Sequence, residues 1–384
     1  MKGTVVIIAM IPWHFTWQSQ HNMASGFASR GYRVVFVEAM PKRWPRLDEL
    51  RRVLGRLRGD SVAAGLLRQP VIPEVELVSP RMLPDAGPLT RAVNRGMFVP
   101  GISQTLQKKI QRPLIVINYL PTSASLALMA DLEPEVAIYH CVNDWANDPY
   151  APDHGFEAEL AASVDMVWAD SPINIARTRT MSDRVITLPH GVDIDLFAEA
   201  RDVPKDIPDR PLCAYFGTVG ISADIDLLRK VSHRYPLRLI GPVRVELEGF
   251  SPETELIGPV EHEQIPDLLR DVDVLLLPYA HTSHNQSVMP AKLFECLATG
   301  KPTVASGLGT LYDYADLFYI RENHEEFLEA IAEAVHEPIE RQEPRIACAE
   351  EHSYDRRMVK IERYVHQIMN EKGIEAPSMT PVPS

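Results

Sequence analysis

Short apolar runs alternate with stretches of helical periodicity along most of the chain. The runs at 4–10, 32–38, 114–119, 136–141, 166–170 and 185–188 read as strands, and the pattern at 20–29 reads as a helix stopped by Gly31. The segment 199–211 is polar and holds Pro204, Pro208 and Pro211, the composition of a linker. The alternation then restarts with strands at 212–216, 237–240, 255–258, 272–278 and 302–305, and a helical pattern covers 354–371. Strands that alternate with helices predict parallel sheets joined by crossover helices, hence an α/β fold. The restart after the linker predicts two domains, over 1–200 and 210–350. A terminal helix is expected within 351–372, and 373–384 has the composition of a disordered tail.

One segment breaks the rhythm. In 42–68, Leu47, Leu50, Val53, Leu54 and Leu57 recur at helical spacing, with Arg46, Arg51, Arg52, Arg56 and Arg58 on other faces. It reads as a basic amphipathic helix, suited either to packing on its own domain or to docking on anionic lipid headgroups. Charge sharpens this picture. The chain of 384 residues carries −13 in all, yet residues 1–150 hold 17 Lys+Arg against 12 Asp+Glu, and 39–112 hold 14 against 6. A chain polarised in this way is expected to bring one domain to an anionic surface. Nucleic acid is not an expected partner.

Composition is otherwise that of a soluble enzyme, with 45% hydrophobic and 24% charged residues. The first apolar run is too short to span a membrane and is followed by no cleavage site, so a cytoplasmic protein is expected, with a peripheral position on the inner face of the membrane as an extension of the basic helix. Cys141, Cys213, Cys296 and Cys348 lie far apart and form no metal or redox motif. Thr299-Gly-Lys-Pro302 lacks the upstream Gly and the Ser/Thr of a P-loop, and no G-x-G-x-x-G follows the first strand. His281-Thr-Ser-His284 has no carboxylates at ligand spacing, so no metal is expected.

The stretch Met289-Pro-Ala-Lys-Leu-Phe-Glu-Cys-Leu-Ala-Thr-Gly-Lys-Pro-Thr-Val-Ala305 carries the most chemistry. Pro290 suits a first helical turn, and Gly300 suits its stop. Lys292 and Glu295 then share one face near the helix start. Unpaired N–H groups there attract phosphate, Lys292 adds a cation for a diphosphate, and Glu295 can accept bonds from two ribose hydroxyls. Taken alone, K-x-x-E is more commonly a surface ion pair. Gly217-Thr-Val-Gly220 follows a strand, where glycines let backbone approach a phosphate, although G-x-x-G also makes generic turns. Asp144 sits at a strand end and suits either a general base or a turn. His14, His140 and His190 are strand-end candidates for catalysis or, more commonly, for structural hydrogen bonds.

These landmarks, in their order, resemble the GT-B superfamily of glycosyltransferases, especially bacterial relatives of glycosyltransferase family four. The resemblance rests on Pro290–Ala305, on Gln18–Ala24 before Gly31-Tyr-Arg-Val34, on Ala169-Asp-Ser-Pro172, on Leu188-Pro-His-Gly-Val-Asp193 with Phe197, and on Tyr215–Gly220. It covers about 4–365 and is weakest between 40 and 115. It implies two Rossmann-like domains facing across a cleft, an acceptor domain first and a donor domain second, with the last helix crossing back to the first. It implies a donor site of Gly217, Thr218, Val219, Gly220, Ser287, Met289, Pro290, Lys292 and Glu295, with Lys292 stabilising the leaving nucleotide; Asp144 as base is the expectation from its strand-end position. His14, His190 and Gly191 are the implied acceptor or sugar contacts. The co-substrate is a nucleotide-diphosphate sugar, most commonly of UDP, with no other cofactor. The acceptor is a lipid-linked saccharide, another membrane-proximal saccharide or a small molecule. Two departures stand out: Ser287 replaces a Glu frequent eight positions before Glu295, and Ile11-Pro-Trp-His-Phe15 lacks paired glycines. Inverting and retaining outcomes are both compatible. The rival expectations are a nucleotide-sugar epimerase of the same fold and a catalytically silent membrane-associated partner.

Overall fold

The computed structural model describes residues 2–15, 17–41, 43–44, 71–145, 155–201, 208–282, 285 and 289–380. The expected basic helix with Arg46, Arg51, Arg52, Arg56 and Arg58 therefore lies outside the described residues, as does Ser287. The chain divides into two compact units, Met1–Leu188 with Arg357–Ser384, and Pro189–Arg356.

In the first unit β1 (Thr4–Ile8), β2 (Arg33–Val37), β3 (Val75–Val78), β4 (Leu114–Asn118), β5 (Val136–Cys141), β6 (Met166–Ala169) and β7 (Val185–Thr187) form one sheet, in the order β3-β2-β1-β4-β5-β6-β7. Every neighbouring pair is parallel. Parallel strands need crossovers, and the crossovers cover both faces, so the strands read as unbroken apolar runs. Val5 and Ile7 accordingly enter a core on one side, Val6 and Ile8 on the other. Helices Ser19–Ser29 and Tyr354–Glu371 close the first side, the latter through Met358, Ile361, Val365 and Ile368. β3 did not stand out in the sequence because it is a short, half-exposed edge strand, held by Glu76 to Arg33 and Lys109.

The terminal helix is locked to this unit by Glu362, which is fully buried and ion-paired to Lys2 at 3.2 Å and Arg30 at 3.6 Å. The expected disordered tail is corrected for 373–380. Ile374 and Ala376 pack on the first core, and Lys2 Nζ donates to Thr380 Oγ1 at 2.7 Å. Residues 381–384 lie outside the described residues.

In the second unit β8 (Cys213–Phe216), β9 (Leu237–Ile240), β10 (Glu255–Gly258), β11 (Val274–Pro278), β12 (Thr303–Ser306) and β13 (Tyr319–Ile320) form a second parallel sheet, in the order β10-β9-β8-β11-β12-β13. Helices Ile225–Arg234 and His324–Val335 cover one face, and Lys292–Thr299 covers the other. The unit begins before the expected linker, because helix Ile194–Ala198 inserts Phe197 into this second core.

A buried ion pair supports the C-terminal edge of this sheet. Arg345 is fully buried, donates from Nε to the Leu317 carbonyl at 2.8 Å and from Nη1 to the Gly300 carbonyl at 3.1 Å, and pairs with Glu337 through Nη2 at 2.7 Å. Removing Arg345 leaves the Glu337 carboxylate with only the Tyr319 hydroxyl at 3.1 Å and Arg341 at 3.8 Å, and takes the guanidinium donor from two carbonyls. Arg345→Ala should therefore destabilise the second unit by about 3–5 kcal/mol. Chemical denaturation would read this as an earlier transition, and an unchanged midpoint would contradict it.

Candidate functional site

The second sheet reverses its strand order between β8 and β11. The chain runs from β8 outward through β9 and β10, and from β11 outward through β12 and β13. In parallel α/β sheets ligands bind at such a switch point, beyond the carboxyl ends of the strands. The Gly217–Gly220 turn leaves β8 there, Tyr279 follows β11, and helix Lys292–Thr299 joins β11 to β12.

Backbone packing at this point is tight. Gly217, at φ +121°, donates its N–H to the Ile240 carbonyl at 2.7 Å. A Cβ on Gly217 would lie 2.5 Å from Lys292 Nζ, and one on Gly241 would lie 2.3 Å from the Gly217 carbonyl oxygen. Both positions need glycine, for space and for backbone conformation.

Lys292 is the first residue of its helix, and its side chain runs under the turn. Its ammonium lies 3.2 Å from Tyr215 Oη, 4.2 Å from the Tyr215 ring centre and 5.4 Å from that of Tyr279. Burial works against the charge, but Tyr215 and Tyr279 outweigh it and hold the lysine above its ordinary value. Burial pushes the Tyr279 hydroxyl up to about 12, against the neighbouring ammonium. No carboxylate among the described residues lies within ion-pair distance of Lys292. The positive end of its helix adds to the field there.

Glu295, one turn on, receives a bond from His262 Nε2 at 2.8 Å. His262 precedes helix Ile265–Leu269, and its ring packs edge-on against Phe197 at 5.5 Å. Burial lowers the imidazole, but the Glu295 carboxylate more than compensates, aided by Glu263 and Asp193, so the net shift is upward. The sequence reading did not single out Tyr215, Tyr279 or His262. The signal available for the two tyrosines was their place, within two residues of the ends of the central strands.

The remaining candidates are placed as follows. Thr218 is exposed and its carbonyl accepts from Tyr215 Oη at 3.0 Å; Val219 is buried and donates to the Pro242 carbonyl at 2.9 Å. The Gly220 carbonyl accepts from Ala223 at 2.9 Å. Met289 and Pro290 are buried just before the helix, and Pro290 contributes a carbonyl that accepts from Leu293 at 3.1 Å rather than the first helical residue. His190 and Gly191 belong to this unit, half-buried and buried.

Asp144, in the first unit, lies three residues past β5, buried, with Arg177 Nε 3.8 Å from its carboxylate. Arg177 also holds the Asn143 carbonyl at 3.0 Å, Asn174 Oδ1 at 2.8 Å and the Glu157 carboxylate. His140 bonds Tyr119 Oη at 2.8 Å in the buried sheet. His14 lies half-buried beyond β1, in a loop held by Glu38 accepting from Trp13 N at 2.8 Å and by His21, whose Nε2 reaches the Trp13 carbonyl at 2.9 Å. Asp170, at the end of β6, was quoted in the sequence only as part of a motif. Burial pushes it up to about 6, against bonds from Asn174 and Ser171. Among the described residues no group of three or more His, Cys, Asp or Glu is placed to hold a metal ion.

Two parallel sheets with these strand orders define the GT-B class of α/β protein. Residues 225–363 match the family model described as "Glycosyl transferase-like". A relative from Bacillus subtilis (strain 168), named "Putative teichuronic acid biosynthesis glycosyltransferase TuaH", is 27% identical over 143 residues, 33% of this chain and 35% of the relative. The match thus spans about a third of the relative's length. Among solved structures, sucrose-phosphate synthase from Thermosynechococcus elongatus superposes with a TM-score of 0.66 at 14% identity, covering 96% of this chain and 99% of the other. Anabaena HepE in complex with UDP and glucose gives 0.67 at 12%, covering 95% and 100%. Together these findings support the GT-B fold for the chain and a glycosyltransferase-like segment at 225–363.

The His262–Glu295 pair makes a signed prediction. Because the folded imidazole lies above its usual 6.5, its contribution to stability is fully present below that value and is lost as pH rises through the raised folded value. Melting temperature should therefore carry a downward slope over that window, and His262→Gln should flatten it. An unaltered slope in the variant would show that the pair does not supply it.

Proposed function

We propose that the chain transfers a hexosyl group from a nucleotide-diphosphate sugar, UDP as the nucleotide, to a hydroxyl of a lipid-linked or other membrane-proximal saccharide. The observation that carries the reading is Lys292: a half-buried ammonium at a helix start and a strand switch point, facing two tyrosines and, among the described residues, no carboxylate within ion-pair distance. Such a field favours a diphosphate. In this reading the Gly217–Gly220 backbone follows the phosphates, supported by its tight approach to Lys292, and Glu295, one turn along, accepts from the ribose hydroxyls. HepE, which shares the fold, has been solved with UDP and glucose, in keeping with a UDP-sugar donor.

In the reaction the acceptor oxygen bonds the anomeric carbon while that carbon's bond to the diphosphate oxygen breaks. Lys292 stabilises the charge that grows on the departing diphosphate. The acceptor proton passes to a base, for which Asp144 is the candidate in an inverting transfer.

Thermal stabilisation by UDP, GDP, dTDP and ADP tests the donor site without a known acceptor. A nucleotide at about 100 times its Kd contributes about 2.7 kcal/mol, so a clear upward shift is expected with UDP, and Lys292→Ala should abolish it. Stabilisation by none of the four, or an equal shift in the variant, would end this assignment. Asp144→Asn should lower turnover by about 100-fold or more if the carboxylate takes the proton. Turnover near that of the wild type would remove it from that role.

A further inference from the structure

The Gly217–Gly220 turn uses its backbone in alternation. The N–H groups of Gly217 and Val219 donate to the Ile240 and Pro242 carbonyls, at 2.7 and 2.9 Å, and tie the turn to β9 and the residues just after it. Those of Thr218 and Gly220 donate to no protein group among the described residues. Two spare backbone donors, with a lysine running under the same turn, suit the oxygens of a phosphate.

One side chain joins the lysine to the backbone. Tyr215 is the third residue of β8 and only 2% exposed. An ammonium only donates and a carbonyl only accepts, which fixes the direction of both bonds at the phenol. Tyr215 Oη therefore accepts from Lys292 Nζ at 3.2 Å and gives its own hydrogen to the Thr218 carbonyl at 3.0 Å. The first bond holds the ammonium beneath Gly217, and the second holds the peptide whose far side begins the spare donors.

We infer that Tyr215 is the positioning residue of the diphosphate site: its hydroxyl sets the Lys292 ammonium and the Thr218 backbone in one register and acts through them, without touching the nucleotide. A lysine side chain free in water loses rotamer freedom when it meets a ligand. One already held by a phenol has lost much of it beforehand, so less affinity is forfeited on binding. The ammonium keeps two further hydrogens for phosphate oxygens while the phenol holds the first. The inference deepens the donor-site reading proposed above and rests on it.

Tyr215→Phe keeps the aromatic face that lies 4.2 Å from the ammonium and removes only the hydroxyl. UDP affinity, titrated by calorimetry, should fall about tenfold. Tyr235→Phe is the control. Tyr235 Oη donates to the Leu328 carbonyl at 3.0 Å in the core on one face of the same sheet, so this variant loses a buried bond of the same kind and should bind UDP as the wild type does. In fluorotyrosine-labelled protein the fluorine resonance absent from Tyr215→Phe is that of Tyr215. It should move along the UDP titration, and Lys292→Ala should displace it without nucleotide; a phenol that only fills the core would hold its frequency in both. Wild-type UDP affinity in Tyr215→Phe, an equal loss in Tyr235→Phe, or a Tyr215 resonance fixed through the titration would overturn the inference and leave the donor site standing. A wild-type chain that binds no UDP would end both.

Discussion

An ammonium group that is drawn partly out of water loses hydration, and something must offset that loss. At Lys292 the offset comes from one phenol oxygen and two aromatic faces, without a carboxylate. The arrangement holds because Gly217 has no side chain: any Cβ there would occupy the space the ammonium fills. Gly241 extends the constraint to the neighbouring strand, since its bare Cα lets the Gly217 carbonyl pass. The glycine turn and the lysine are thus one device, and positive charge is its product.

Much of this was legible in the sequence, because parallel sheets write themselves as apolar runs. Strands β5, β9 and β10 and the terminal helix have the bounds that their periodicity predicts, and most other strands differ by one or two residues. Gly300 ends the Lys292–Thr299 helix in a left-handed conformation, as its position after the apolar pattern implies. Lys292 and Glu295 share the start of that helix because a separation of three residues is a single turn.

What remained hidden depends on tertiary approach. Tyr215 and Tyr279 are 64 residues apart in sequence and meet only because β8 and β11 pair at the centre of the sheet. His262 reaches Glu295 across 33 residues from a short 3-10 turn capped by Glu261 and Gln264, a local signature that says nothing of the distant partner. The linker reading of 199–211 fails to place the division at Leu188 because Phe197, in a five-residue helix, is too brief a signal to assign to a core. The π-helical turn at Asn94–Phe98 escapes for another reason. It shifts the helical phase, so neither flank displays a full period.

The two units divide their electrostatic work. The second carries a local positive site within an acidic stretch, since residues 189–356 hold 15 Lys+Arg against 31 Asp+Glu. An acidic surround repels anions over long distances, so the site gains selectivity from contact geometry rather than from steering. The first unit reverses the arrangement. Arg81, Arg95 and Lys108 are exposed there and carry no ion pair among the described residues. A buried cation recognises a small anion by fit, whereas exposed cations recognise a surface by summed potential. Salt distinguishes the two: it screens the exposed cations within about 8–10 Å, while the half-buried ammonium is screened less.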